Sequence, residues 1–388
     1  MNKRQHILIF FEGPHLAYSP TTIQLHDELS KDHEVTILAQ NPDNYNGKRI
    51  SDRNVLYYRY FGVKTRLWYK LLFNLLGIFN KNIRLFKKLK LNYRDYFFRF
   101  LHFKKVLKQH RFNRVISVDI SNLFFCSLLN IKVDFLSLEV CNDYHLLPLI
   151  KKENINCVII QSKIRYEYLF KEYTIKTFLI QNAPVYFEIQ PRQRRRCLIY
   201  SGAAKDSFAF FHCLNYLVKF PDEKMVLQGA LLPNDKLVVE TRYAQLLSEK
   251  RLILNLTYLE NDKVVEFISN YEIGFCFYNF DHPNVKENAF NYMSAPSGKM
   301  FKYLAAGVPV VCSNIIGFDF IKDFKCGIQI NSIDEDSIRQ AVFEIRKDFS
   351  YYSANAKIAA RHFSFDKAVI PYLQYITESL KGNSTRVI

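Results

Sequence analysis

Short apolar runs alternate with amphipathic stretches from the first residues of the chain onward. Residues 7–11 are an apolar run of strand length. A polar loop with Gly13, Pro14, His15, Ser19 and Pro20 follows, then a helical pattern over 21–30 and a second apolar run at 35–39. Strand, helix and strand at this spacing predict a βαβ unit in a parallel sheet. The pattern breaks near residue 60 and resumes with strand-length runs at 114–118, 135–138, 158–161 and 177–180. The first two end at Asp119 and Glu139. Residues 182–197 hold two prolines and four arginines and read as a linker. A second series then begins. It has strands at 197–200 (running into Ser201 and Gly202), 225–228 and 252–256, a helix over 262–269 and a strand at 273–278. A helix over 299–306 stops at Gly307, where a glycine is expected just past a helix end. Strands at 308–312 and 327–330 and a helix over 334–347 complete it.

The 388 residues suffice for two α/β domains with sizeable cores. The expected division is an N-terminal Rossmann-like domain over 1–185, a C-terminal one over 186–365, and a closing helix and tail over 366–388. A hydrophobic share of 49% and an aromatic share of 15% argue against extended disorder. There is no internal repeat of short period.

Charge changes the picture at one place. Residues 63–114 contain fifteen Lys or Arg against a single acid, Asp95, and so hold +14 of the chain's +17. Within that stretch Trp68, Leu71, Leu72, Leu75, Leu76 and Phe79 recur at helical spacing on one face. A plain solvated face, a nucleic-acid surface and an anionic membrane surface all use such residues. The aromatic residues beside the cations favour the membrane, and no nucleic-acid motif is present, so no nucleic-acid partner is expected. The longest apolar stretch, 67–79, is broken by Lys70 and Asn74, short of the ~18 residues a spanning helix needs. The run at 7–11 is too short for a signal-peptide core. The expectation is a cytoplasmic protein held peripherally on the inner face of the membrane. The eight cysteines show no C-x-x-C spacing, which points to buried reduced thiols and no metal site.

The most specific stretch is 294–321, SAPSGKMFKYLAAGVPVVCSNIIGFDFI. It resembles the donor-binding motif of GT-B glycosyltransferases, particularly the retaining family four (glycosyl transferases group 1). In that motif a loop and helix N-terminus hold a diphosphate and ribose, followed by a small-small-Gly turn, a Pro and a buried strand, as in Ala305, Ala306, Gly307, Pro309 and Val310 to Cys312. Residues 197–208 (CLIYSGAAKDSF), 258–280 and 361–373 are similar to further conserved parts of the same fold. The resemblance implies two Rossmann-like domains facing each other across a cleft, with a C-terminal helix crossing back to the N-terminal domain. It implies a nucleotide-sugar donor as substrate, with no cofactor. Donor and phosphate contacts are carried to Gly202, Lys205, Ser297, Gly298, Lys299 and Lys302, since free N–H groups at a helix N-terminus favour an anion. The chain departs from the family pattern at the two positions where glutamates are common, which hold Ser294 and Lys302. Only Lys205 stands near the place of the family's Arg and Lys pair.

Catalytic candidates come from the N-terminal half. His15 and Glu12 lie in the first loop, and Asp119 and Glu139 at the predicted C-terminal ends of strands, where α/β sheets place ligands. The expected function is transfer of a sugar to a membrane lipid-linked or polysaccharide acceptor in cell-surface glycan biosynthesis. The alternatives are a nucleotide-sugar epimerase of the same fold and a non-catalytic binding or scaffold protein.

Overall fold

The structure is a computed structural model in which residues 4–44, 48–58, 96–140, 142–189, 194–294 and 296–382 are described. The chain divides into two compact units. The first comprises Met1–Ile160, Tyr166–Leu179 and Val369–Ile388, and the second Gln161–Arg165 and Ile180–Ala368.

The first unit is built on a parallel seven-stranded sheet. Its strands are β1 (His6–Phe10), β2 (Glu34–Gln40), β3 (Val55–Tyr58), β4 (Arg114–Val118), β5 (Val133–Ser137), β6 (Ile155–Ile160) and β7 (Lys176–Leu179), in the order β3-β2-β1-β4-β5-β6-β7. Every neighbouring pair is parallel. The chain winds from β1 in one direction and then from β4 in the other, so a switch point lies between these two strands. The first helix, α1 (Pro20–Ser30), begins with Pro20, whose missing N–H costs nothing at a first helical position.

The described part of the basic segment belongs to this core. Helix α2 (Phe98–Gln109) buries Phe98, Arg99, Phe100, Phe103 and Val106. The Phe103 ring stacks on Phe10 of β1 at 4.3 Å. Arg114, the last basic residue of that segment, lies in β4. It is buried and forms an ion pair with the fully buried Asp134 at 2.6 Å. The expectation of one cationic surface over 63–114 is therefore corrected for its described part, 96–114. Its apolar positions cover the sheet, and two of its cations are taken inside to neutralise carboxylates. Lys105, Lys108 and Arg111 remain exposed. The stripe from Trp68 to Phe79 lies outside the described residues.

The C-terminal helix, α9 (Ile370–Gly382), belongs to this first unit although the residues before it belong to the second. Tyr372 is fully buried and donates its hydroxyl to Asp134 at 2.7 Å, and Arg114 also bonds Ser379. The expected return of the last helix to the N-terminal unit is present.

The second unit holds a parallel six-stranded sheet. Its strands are β8 (Arg195–Ala204), β9 (Met225–Leu231), β10 (Leu252–Asn255), β11 (Tyr271–Cys276), β12 (Val310–Ser313) and β13 (Gly327–Ile330), ordered β10-β9-β8-β11-β12-β13. Two apolar cores cover its faces. Helices α4 (Phe210–Lys219) and α7 (Glu335–Lys347) contribute Phe210, Leu214, Ile338 and Val342 to one. Helices α5 (Asn261–Ile268), α6 (Gly298–Ala305) and α8 (Phe349–Phe363) contribute Val265, Met300, Leu304 and Ala359 to the other. The switch point here lies between β8 and β11. Strand β8 runs past its predicted end, so Gly202 stands in a strand paired with Gly229 of β9 rather than in a free loop. No described helix is long and apolar enough to cross a membrane. The seven cysteines among the described residues are free and buried.

Candidate functional site

In open parallel sheets ligands bind beyond the C-terminal ends of the strands, at the switch point. Both units place polar residues there.

In the second unit the switch point is bordered by β8, β11 and the N-terminus of α6. Ser297 is the N-cap of α6, yet its side chain makes no capping bond, and the Met300 N–H turns instead to the Ser297 carbonyl at 2.9 Å. Gly298 is required by a neighbour, since a Cβ there would stand 2.6 Å from the Asn182 side-chain nitrogen. Lys299, one residue on, holds its amine 4.7 Å from the centre of the Tyr200 ring and 4.9 Å from that of Phe208. Burial lowers its pKa, and only the weakly acidic Cys276 and Cys213 act against that shift. The pKa of half-buried Lys302 is likewise lowered by loss of solvent. Lys299 thus stands in the first turn of α6 and Lys302 in its last, both amines desolvated, and an anion placed at this helix N-terminus would be stabilised by dipole, charge and N–H donors together.

Gly202 has φ of +104° and open space where a Cβ would stand. Gly229 opposite is needed for a different reason, because its Cβ would meet the Gly202 carbonyl oxygen at 2.0 Å. Lys205 follows β8 on the exposed surface. Ser294 is fully buried. Its hydroxyl donates to the Phe290 carbonyl at 2.6 Å and accepts from Arg165 at 3.2 Å. Arg165 is itself fully buried and also bonds Asn291 at 2.7 Å and Gln161 at 3.0 Å. A buried guanidinium and a hydroxyl thus fix the chain just before the loop into α6.

In the first unit, Glu12 beyond β1 and Asp119 beyond β4 border the switch point. Arg99 of α2 pairs with one Glu12 oxygen at 2.9 Å and bonds the Ser121 hydroxyl at 2.9 Å, while Ser121 donates to the other Glu12 oxygen. Asp119 opens helix α3 (Asp119–Leu128) in the left-handed region, φ +60°, which short polar side chains tolerate best. This conformation sets its carboxyl against the chain beyond β5, where it accepts N–H bonds from Leu138 at 2.9 Å and Glu139 at 3.3 Å. Loss of solvent, and after it the charge of Glu12, raise the Asp119 pKa to about 8, against the pull of those two N–H donors. Tyr96 donates to Asp143 at 2.6 Å, and the Asp143 carboxyl is also shifted upward by burial.

Of the residues singled out in the sequence, Ser297, Gly298, Lys299 and Lys302 come together on one helix, with Lys299 reaching back over β8 to Tyr200. Glu12 and Asp119 are brought close enough to influence each other. Glu139 is exposed, and its backbone N–H is what meets Asp119. His15 is exposed, with its ring 6.2 Å from that of Tyr18. Sequence reasoning missed Tyr200, Phe208, Tyr303 and Gly229 around the first pocket, and Arg99, Ser121 and Tyr96 around the second. Arg99 was hidden because it sits in a run of cations whose described members include the exposed Lys105, Lys108 and Arg111.

No family model and no curated protein matches the chain's sequence. Solved structures do match its fold. Sucrose-phosphate synthase from Thermosynechococcus elongatus superposes with a TM-score of 0.67 at 11% identity, over 98% of this chain and 100% of that one. WaaG, a glycosyltransferase involved in lipopolysaccharide biosynthesis, gives 0.59 at 12% identity over 92% and 95%. Anabaena HepE in complex with UDP and glucose gives 0.58 at 10% identity over 98% and 100%. At such identities the likeness is one of fold, and with its two parallel Rossmann-like sheets and returning C-terminal helix the chain has the GT-B fold.

Proposed function

We propose that the chain is a glycosyltransferase that moves a sugar from a nucleoside-diphosphate donor to a lipid-linked or polysaccharide acceptor in cell-surface glycan biosynthesis. The observation that carries this reading is Lys299, a desolvated amine on which no carboxylate acts among the described residues, in the first turn of α6, whose N-cap side chain makes no capping bond. In glycosyl transfer the bond from the anomeric carbon to the diphosphate breaks, and charge grows on the departing oxygens. Lys299 and the first-turn N–H groups stabilise that charge as it forms. The acceptor hydroxyl forms the new bond as its proton passes to a general base. The fold neighbours support the same class, since one is described as a glycosyltransferase of lipopolysaccharide biosynthesis and another holds UDP and glucose. A membrane acceptor would also give the exposed cations of the basic stretch, Lys105, Lys108 and Arg111 among them, a partner, by attachment to an anionic cytoplasmic leaflet.

Thermal shift with UDP and GDP, followed by a panel of nucleotide sugars with and without acceptor, tests the reading. A rise in Tm with a nucleoside diphosphate and turnover only when acceptor is added are expected. Turnover without acceptor would instead identify an epimerase, and binding without turnover a scaffold. Lys299→Met should weaken diphosphate binding about ten- to a hundredfold, the loss of one charge-assisted bond. The ligand-free variant should be more stable than wild type, because a desolvated charge with no acidic partner stronger than a thiol among the described residues is gone. Unchanged affinity would make Lys299 a bystander. Flotation with anionic and zwitterionic vesicles checks the attachment, which should require anionic lipid and weaken with salt.

A further inference from the structure

We infer that Tyr303 is a positioning residue that ties the donor-binding helix to the end of β8 and holds the phosphate pocket in shape. The inference rests on the reading of α6 as the diphosphate site. Tyr303 lies on α6 between Lys299 and Lys302 on one side and the Ala305–Gly307 turn on the other, and its side chain points away from solvent. The ring lies flat on Gly274 of β11, where a Cβ would stand 2.7 Å from its carbons. Only glycine at position 274 lets the ring pass between helix and sheet. The hydroxyl then reaches the crevice at the switch point. It accepts the Ser201 backbone N–H at 2.6 Å and donates to the Phe275 carbonyl at 3.1 Å.

Those two backbone groups belong to the two strands that part there. The paired register of β8 and β11 ends at Ile199 and Gly274. Beyond it the Tyr303 hydroxyl carries the connection between the strands, satisfying one donor and one acceptor that would otherwise be buried and unmet. Ser201 directly precedes Gly202, and Tyr200, directly before it, provides one of the two rings under the Lys299 amine. One hydroxyl therefore sets the distance between β8, β11 and the helix that carries Lys299 and Lys302. Burial raises the Tyr303 pKa well above the usual phenol value, so the group stays a neutral donor throughout the working range. Its role is to keep the pocket open at fixed width, with no contact to the reacting atoms.

Tyr303→Phe keeps the ring against Gly274 and removes only the two bonds. Tyr372→Phe in the first unit is the matched control, since it also deletes one buried tyrosine hydroxyl that serves a fixed partner. UDP and GDP affinities are measured for wild type and both variants, alongside Tm and the exchange rate of the Ser201 amide. Tyr303→Phe should lower nucleoside-diphosphate affinity about tenfold, which is RT ln 10 of lost binding. The Ser201 amide should also exchange faster, while Tyr372→Phe loses comparable Tm and keeps wild-type affinity. Equal loss of affinity in both variants, or wild-type affinity in Tyr303→Phe, would overturn the positioning role. An unchanged Ser201 exchange rate in Tyr303→Phe would overturn the tether itself. Wild-type protein that binds neither diphosphate, with Ser201 exchange still accelerated in Tyr303→Phe, would overturn the donor-site reading and leave only the tether standing.

Discussion

Asp119 shows how much a single position can depend on its surroundings. In the sequence it is one acid after an apolar run. In the structure its left-handed backbone brings the carboxyl beneath two N–H donors, yet loss of solvent and the nearby Glu12 leave its pKa at about 8. The unfolded chain releases that proton near pH 3.9. Below about pH 4 both states hold the proton and the group has no effect on stability. As pH rises from about 4 to about 8 the folded chain keeps a proton that the unfolded chain has lost, so stability falls, and above about 8 the loss is complete. Asp119→Asn keeps an acceptor for the two N–H groups and cannot ionise. Thermal melts from pH 5 to 9 should show the variant gaining steadily on wild type up to about pH 8, with a constant advantage beyond. A constant difference across the whole range would show that Asp119 titrates normally. Lys299 has the opposite chemistry and the same cause, since burial disfavours its charged form as well.

Among elements, the β8–β9 pair is the most demanding. The two strands stay in register from Leu198 and Met225 through to Ala204 and Leu231, passing Gly202 opposite Gly229. The backbones are so close there that a methyl on Gly229 would overlap the Gly202 carbonyl. Gly229→Ala should therefore cost about 1–3 kcal/mol, as overpacking does. It should also shift the end of β8 and so reduce diphosphate affinity, read by denaturant melts and by UDP titration. A variant with wild-type stability and affinity would show that the strand ends part freely. The predicted end of this strand, near residue 200, was short because Ser201, Gly202 and the alanines after it have low strand propensity. Pairing with β9 overrode that preference. The helix over 299–306 was legible because its apolar spacing, its terminal glycine and the Pro after it agree with one another. Nothing in the sequence set its Tyr303 apart.

At the scale of the molecule, the returning helix α9 completes the first unit. Tyr372 and Ile376 are fully buried there, and Tyr372 bonds the Asp134 carboxyl that Arg114 neutralises. Removing residues 370–388 strips a buried aromatic and an aliphatic side chain from that unit, a loss of about 3–5 kcal/mol for the aromatic alone. The truncated chain should show a separate early melting transition or fail to remain soluble, while the second unit keeps its own transition. One unaltered transition in calorimetry would mean that the helix is dispensable. The basic stretch 63–114 belongs at this scale too, because its charge was read as one surface and its described part serves two purposes. Positions 98, 100 and 103 fill the core, and Lys105 and Lys108 face water.

The order of the apolar runs, their strand or helix length, and the glycine and proline stops between them were enough to determine two parallel α/β units. Those signals are local, and each is repeated along several residues. The same holds for the short stretch around Ser297 to Lys299, where a loop, a glycine and a lysine stand side by side at a helix start. Which distant residues meet was decided by tertiary structure alone. Arg99 finds Glu12 across eighty-odd positions, Tyr303 reaches Ser201 through the gap left by Gly274, and Arg165 takes the hydroxyl of Ser294. A charge or a hydroxyl looks the same in the sequence whether water or a buried partner receives it. Desolvation, which gives Lys299 and Asp119 their unusual proton affinities, exists only once the chain has closed around them.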